Sequence, residues 1–447
     1  MQDAQDNTIT VASEAAARAH DHVIEGFLKY RFDTGLRLKA FLAEDPLAPL
    51  GHVMAGAFAM LAYDRALLAR AETCLARAEA LPATPRERAH MAALRAWIEG
   101  TPEQALAIWE QIVAEAPRDL LAFRLHHFTA FWMGRAEHML GLVEQVMPRW
   151  PAALPGFGSI LACRCFANEE VGNYVVAEHA GRAAVALDPG DLWATHGVAH
   201  VLEMQGRRSE GLAWIAAREP HFGEGNNLMH HIWWHQAMFH IERREFDAVL
   251  ALYDTRFRNK LSKVLQAQPD LYIDVQNAAS MLFRLALRGV DPGARWQELA
   301  DKAEARVGDT LSAFTQPHWM MALVGAGRMA AAARLLEAIA EAGQGTTAHA
   351  SVLREAAYPA SLAVKLHGER RYAEAVAALR PALGGLYRLG GSHAQQEVLE
   401  LVFLDSARQA GARADVVLAL ERAARFPVPP ARRIGFSEAA LAEGFAA

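Results

Sequence analysis

The stretch LWATHGVAHVLEMQG, residues 192–206, carries His196, His200 and Glu203 at positions i, i+4 and i+7. At about 100° per residue these side chains share one helical stripe. Two imidazoles and a carboxylate suit a divalent metal such as Zn²⁺, Fe²⁺ or Mn²⁺, with a position left over that could activate water. The same groups could move protons without a metal, because imidazole titrates near about 6.5 and a carboxylate can orient it. A third account makes them satisfied hydrogen-bonding residues of a helical core.

Other histidines extend the pattern. NNLMHHIWWHQAMFHIE (226–242) places His231 and His235 at i and i+4, beside His230, His240 and Trp234, and LAFRLHHFTAFWMG (121–134) adds His126 and His127. Neighbouring helices lie about 8–10 Å apart, so successive histidine stripes could face a common space. The candidate catalytic or metal-ligating set is therefore His196, His200, Glu203, His231 and His235. Candidate substrate-binding residues are His127, Trp193, Trp234, Asn277, His318, Gly391, Ser392 and His393.

The last of these have local rationales. In LGGSHAQQE, Gly390 and Gly391 precede a helix that Ser392 caps, and N–H groups at a helix start attract carboxylate or phosphate. A plain cap is the commoner use of that pattern. His318 follows Pro317 at the start of a helix, where it is either a cap or one more pocket histidine.

The elements that must position these residues are helix hairpins. In AWIEGTPEQALAIWEQIVAEAPRD (96–119) one helix stops near Gly100, the next starts near Pro102, and Pro117 closes the unit. The turn glycines Gly100, Gly134, Gly172 and Gly206 are 34, 38 and 34 residues apart, and 34 is the tetratricopeptide period. In IERREFDAVLALYD, Arg244 takes the glycine position, and further copies fit at LVGAGRMAAAARLLEAIAEAG and LHGERRYAEAVAALRPAL. The Gly- and Pro-rich insertions 148–158 and 219–227 read as loops.

The expected fold is all-α, a right-handed superhelical solenoid of tetratricopeptide-like hairpins, because a single hairpin cannot bury its apolar faces alone. One continuous array spans 1–447. It has irregular hairpins at 11–80, regular repeats with a histidine-rich concave face at 86–260, C-terminal repeats at 261–424 and a tail at 425–447.

Bulk properties narrow the partners. The 447 residues carry a net charge of −6 with basic and acidic groups interspersed, which argues against nucleic acid. The three cysteines, Cys74, Cys163 and Cys165, show no C-x-x-C spacing, so a disulfide framework is not expected and a reducing compartment fits. The longest nearly unbroken apolar run, Val53 to Tyr63, is about half of the ~20 residues a membrane span needs, and the N-terminus is polar where a signal peptide needs an apolar stretch. The expectation is a soluble, cytoplasmic protein without a membrane or nucleic-acid partner. G-x-S-x-G, phosphate-loop and dinucleotide-binding signatures are missing.

A specific likeness runs through 187–260. LDPGDLWATHGVAHVLEMQGRRSEGLAWI and HHIWWHQAMFHIERREFDAVLALYD resemble the tetratricopeptide repeat protein 38 family, and AASMLFRL, FTQPHWMMALVGAGR and RLGGSHAQQEVLE resemble later family blocks in the same order. The resemblance covers about residues 20 to 420 and implies an all-helical, cytosolic, superhelical protein with no settled activity. The family usually has Asp at Asn277, an acid at Pro317 and Arg–Asp at Gln396–Glu397.

Two functions compete on this basis. One is a compact pocket that binds a small polar or anionic organic molecule and acts on it by hydrolysis or another acid–base or metal-assisted reaction. The other is a groove that takes a peptide or partner protein without catalysis. The charge-mixed outer face also leaves room for a homo-oligomer.

Overall fold

A computed structural model describes residues 1–445. Among them the chain is all-helical and without a β-strand; only the isolated bridges Gln2–Thr8 and Arg31–Gly225 are extended pairs. No helix among the described residues is long and apolar enough to cross a membrane. Cys74, Cys163 and Cys165 are buried, unpaired thiols.

Consecutive helices pack in pairs, and the same turn closes pair after pair. Gly100 adopts φ +78°, its N–H donates to Trp97 O at 3.1 Å, and the next N–H, of Thr101, donates to Ala96 O at 2.9 Å. These bonds satisfy carbonyls that the helix end would leave bare. Gly134, Gly172, Gly206, Gly327 and Gly411 repeat the conformation and both bonds. Arg244 does so with φ +60°, as its place in the period predicts. In LHGERRYAEAV the left-handed residue is Arg370, also at φ +60°, two positions after the glycine.

These turns give a stability test. Nothing lies within 4 Å of a Cβ built on Gly100, so Gly100→Ala meets only the left-handed backbone penalty. It should cost about 1 kcal/mol, and Arg370→Gly should gain up to about as much. Urea denaturation midpoints would check the opposite signs; equal shifts in one direction would contradict this account of the turns.

The two helices of a pair differ in character. Second helices are amphipathic: Pro102–Glu115 buries Ala105, Leu106, Trp109, Ile112 and Val113 at helical spacing. Several first helices are buried on nearly every side, among them Leu120–Trp132, Tyr272–Ala286 and Thr315–Gly325. A helix that is apolar all round belongs inside, so a polar residue on it is carried into the interior. Nearly all the candidate histidines lie on first helices.

The described chain divides into two compact units. One comprises 1–198 with 218–229; the other comprises 199–217 with the chain from His230 onward. In the first, Pro85–Ile98 packs on Pro102–Glu115 and Phe157–Glu170 on Tyr174–Leu187. The expected loops at 148–158 and 219–227 contain only short 3₁₀ turns before helices begin at Phe157 and Leu228.

In the second unit, Tyr272–Ala286 packs on Thr315–Gly325, which packs on Tyr358–Gly368, which packs on His393–Gln409. The His393–Gln409 helix also returns to touch Tyr272–Ala286. That return brings residues more than a hundred positions apart beside one another. The division between the units falls within the continuous helices Leu192–Met204 and Leu228–Glu242.

Candidate metal centre

His200 projects from Leu192–Met204, and His231 and His235 project from Leu228–Glu242. Their rings converge: His200 lies 4.3 Å from His235 and 6.4 Å from His231, centroid to centroid, and His231 lies 4.7 Å from His235. His196 stands one turn before His200 on the same helix. One nitrogen from each of His196, His200, His231 and His235 falls within 4.8 Å of the others, and all four residues are buried. Zn–N bonds of about 2.0–2.1 Å require nitrogens about 3.4 Å apart in a tetrahedron, so small ring movements would close this set on an ion.

Two of the rings are oriented from behind. His235 Nδ1 is 2.6 Å from Glu203 Oε2, and His231 Nδ1 is 3.1 Å from Asn277 Oδ1. A metal-binding imidazole typically gives one nitrogen to such an acceptor and the other to the ion. In both rings this leaves Nε2 for the cluster. Trp234 stacks on His231 with centroids 5.3 Å apart and meets His235 edge-on at 4.9 Å, which restricts both rings further.

Burial sets the charge state. It holds His200 and His231 well below the ordinary imidazole range, helped by neighbouring imidazoles, and it lowers His235 to about 3 with a contribution from Arg284. Glu203 is pushed up to about 8, chiefly by burial and then by the charge of Glu397. His200, His231 and His235 are thus neutral at physiological pH, the form that ligates a metal, and Glu203 keeps its carboxyl proton.

Other predicted residues take different places. Asn277 and Trp234 join the cluster as described. His393 lines a cleft of about 40 Å³ together with Glu203, Met238, Glu397 and Arg433, and its ring packs against Phe426. His318 is buried, its Nδ1–H donates to Phe314 O at 2.8 Å, and burial lowers it to about 4. Ser392 caps its helix: its hydroxyl accepts from Gln395 N–H and its own N–H donates to the Gln395 side chain. A Cβ on Gly391 would strike the Phe314 ring at 2.6 Å, so close packing as well as φ +79° requires glycine there.

In the first unit, Trp193 lies 4.8 Å from the His196 ring and 6.1 Å from His127, with the Arg124 guanidinium 4.5 Å above its face. His127 is buried, and neither of its ring nitrogens has a hydrogen-bond partner. His126 points away to Glu110, which also meets His138, each at 3.0 Å. His230 stands between Asp274 Oδ2 at 3.2 Å and Ser262 Oγ at 3.3 Å, but that hydroxyl already accepts the Leu265 N–H as a helix cap.

One residue beside the cluster carries no signal in its local sequence. Arg284 is fully buried on Tyr272–Ala286, with its guanidinium 5.7 Å from the Trp234 ring. A single arginine in AASMLFRL reads as a solvent-facing interruption of an apolar helix. No protein-family model matches the chain.

Proposed function

We propose that this protein holds a divalent metal on His196, His200, His231 and His235 and acts there on a small polar or anionic organic molecule, by hydrolysis or another proton-transfer reaction. The observation that carries this reading is the pair of rear hydrogen bonds, from His235 to Glu203 and from His231 to Asn277, behind a cluster of neutral imidazoles. A set of nitrogen donors favours Zn²⁺ or Fe²⁺ over Mn²⁺. A six-coordinate ion would keep positions for substrate, whereas four-coordinate Zn²⁺ would need one imidazole to stand aside.

Within this reading His196, His200, His231 and His235 bind the ion, and Glu203 holds the His235 ring and takes or returns a proton during the reaction. Trp234 and the surrounding apolar helices exclude water, which strengthens each electrostatic contact. The cleft lined by Glu203 and His393 is the approach for substrate. A peptide-binding scaffold is less well supported, because the histidines are buried where an extended groove would need them accessible. The hairpin grammar is tetratricopeptide-like, and the likeness to the protein 38 family adds no activity to this argument.

Chelator-treated protein, restored separately with Zn²⁺, Fe²⁺ or Mn²⁺, should hydrolyse some members of a panel of small carboxylate-bearing esters and amides. Turnover should vanish in His200→Ala. Stoichiometric metal binding with no turnover across the panel would count against catalysis, and turnover that survives metal removal would favour acid–base chemistry by Glu203 and His235 alone.

A further inference from the structure

We propose that Arg284 anchors a negatively charged oxygen of the substrate, so that the molecule taken at this centre is a small carboxylate or phosphate-type oxyanion. The inference rests on the metal reading above and specifies its substrate.

Arg284 is poorly satisfied where it stands. Its Nη2 donates to Ala394 O at 2.7 Å and lies 3.8 Å from Glu397 Oε2. Nε and Nη1 have no hydrogen-bond partner, although the side chain is completely buried. Three N–H bonds of a buried cation are therefore unpaired. Such groups are rare because each forfeits its hydration without return. Glu397 supplies only part of the balance, since it is in closer contact with Arg433.

Arg284 adjoins the metal-ligating cluster. It packs on the Trp234 ring that flanks His231 and His235, and its charge acts on Glu203, His235 and His318. Burial lowers its pKa only to about 10, so it stays cationic at neutral pH.

An anionic substrate oxygen within reach of Nε or Nη1 would complete the guanidinium's hydrogen bonds with charge-assisted contacts. A neutral substrate oxygen would make weaker bonds to the same N–H groups.

The test uses the full chain, freed of metal and loaded with Co²⁺, whose visible bands report the ligands around the ion. Acetate, inorganic phosphate and neutral acetamide are titrated in turn. Acetate or phosphate should shift the wild-type bands saturably, and acetamide should not; the response to acetate against phosphate separates carboxylate from phosphate substrates.

Arg284→Met should give the same bands before titration but bind the effective anion at least about 10-fold more weakly. If that variant fails to fold, as judged by circular dichroism, Arg284→Lys should fold and show a weaker version of the same loss. Equal anion affinity in wild type and whichever variant folds would overturn the proposal, as would wild-type bands indifferent to both anions. Absence of Co²⁺ bands in the wild type would defeat the metal reading itself, a result distinguishable from either.

Discussion

Asn277→Asp should tighten Zn²⁺ binding by about 10–100-fold, the usual scale of a change to a hydrogen-bonding partner behind a metal ligand. Asn277 Oδ1 accepts from His231 Nδ1–H, while its amide Nδ2 has no partner in the buried site. An aspartate would place a full negative charge at the same acceptor, make the His231 ring a stronger donor to the ion, and remove the stranded amide. Without metal, the same substitution buries an unbalanced carboxylate and should lower stability. Chelator competition would give the affinity and thermal denaturation with and without Zn²⁺ the stability. Unchanged affinity in a folded variant would remove His231 from the ligand set.

Glu203 makes a second prediction, on the pH dependence of metal-free stability. Its pKa rises from 4.5 to about 8 on folding, so the folded state holds a proton that the unfolded chain has released. The stability this gives is fully present below 4.5 and is lost as pH rises through 8. His235 has the opposite sign: its pKa falls from 6.5 to about 3, so its contribution is present above 6.5 and lost as pH falls toward 3. The two slopes cancel between 4.5 and 6.5. Above 6.5 only Glu203 remains, and about 2 kcal/mol should be lost by pH 8.

Glu203→Gln keeps the neutral shape and cannot ionise. It should therefore abolish that alkaline loss and become more stable than the wild type above pH 8. Urea unfolding of both chelator-treated proteins from pH 5 to 9 measures this. Parallel curves would mean that Glu203 is not held protonated.

Much of the scaffold was legible because turn geometry acts locally. A hairpin's left-handed residue must recur with the repeat, so Arg244 could be assigned its role from spacing alone despite not being glycine. Caps are local too, and Ser392 caps its helix as its place in the sequence predicts. The i, i+4, i+7 spacing likewise put His200 and Glu203 on one stripe and paired His231 with His235.

What the spacing could not give is who meets whom across helices. Glu203 serves His235, on another helix, and Asn277 serves His231 from a third. His126, adjacent in sequence to His127, leaves for Glu110 because neighbouring residues on a helix point about 100° apart. Arg284 was hidden for a related reason. Its burial is produced by the return of His393–Gln409 onto Tyr272–Ala286, a contact over a hundred residues long in sequence.

The most direct test of the central claim is metal content by mass spectrometry on protein purified without an affinity tag, alongside a His200→Ala/His235→Ala variant shown to be folded. The account predicts close to one equivalent of Zn, Fe or Mn in the wild type and its loss in the variant. A wild type that stays metal-free after incubation with each of the three ions, or a variant that retains the metal, would contradict it.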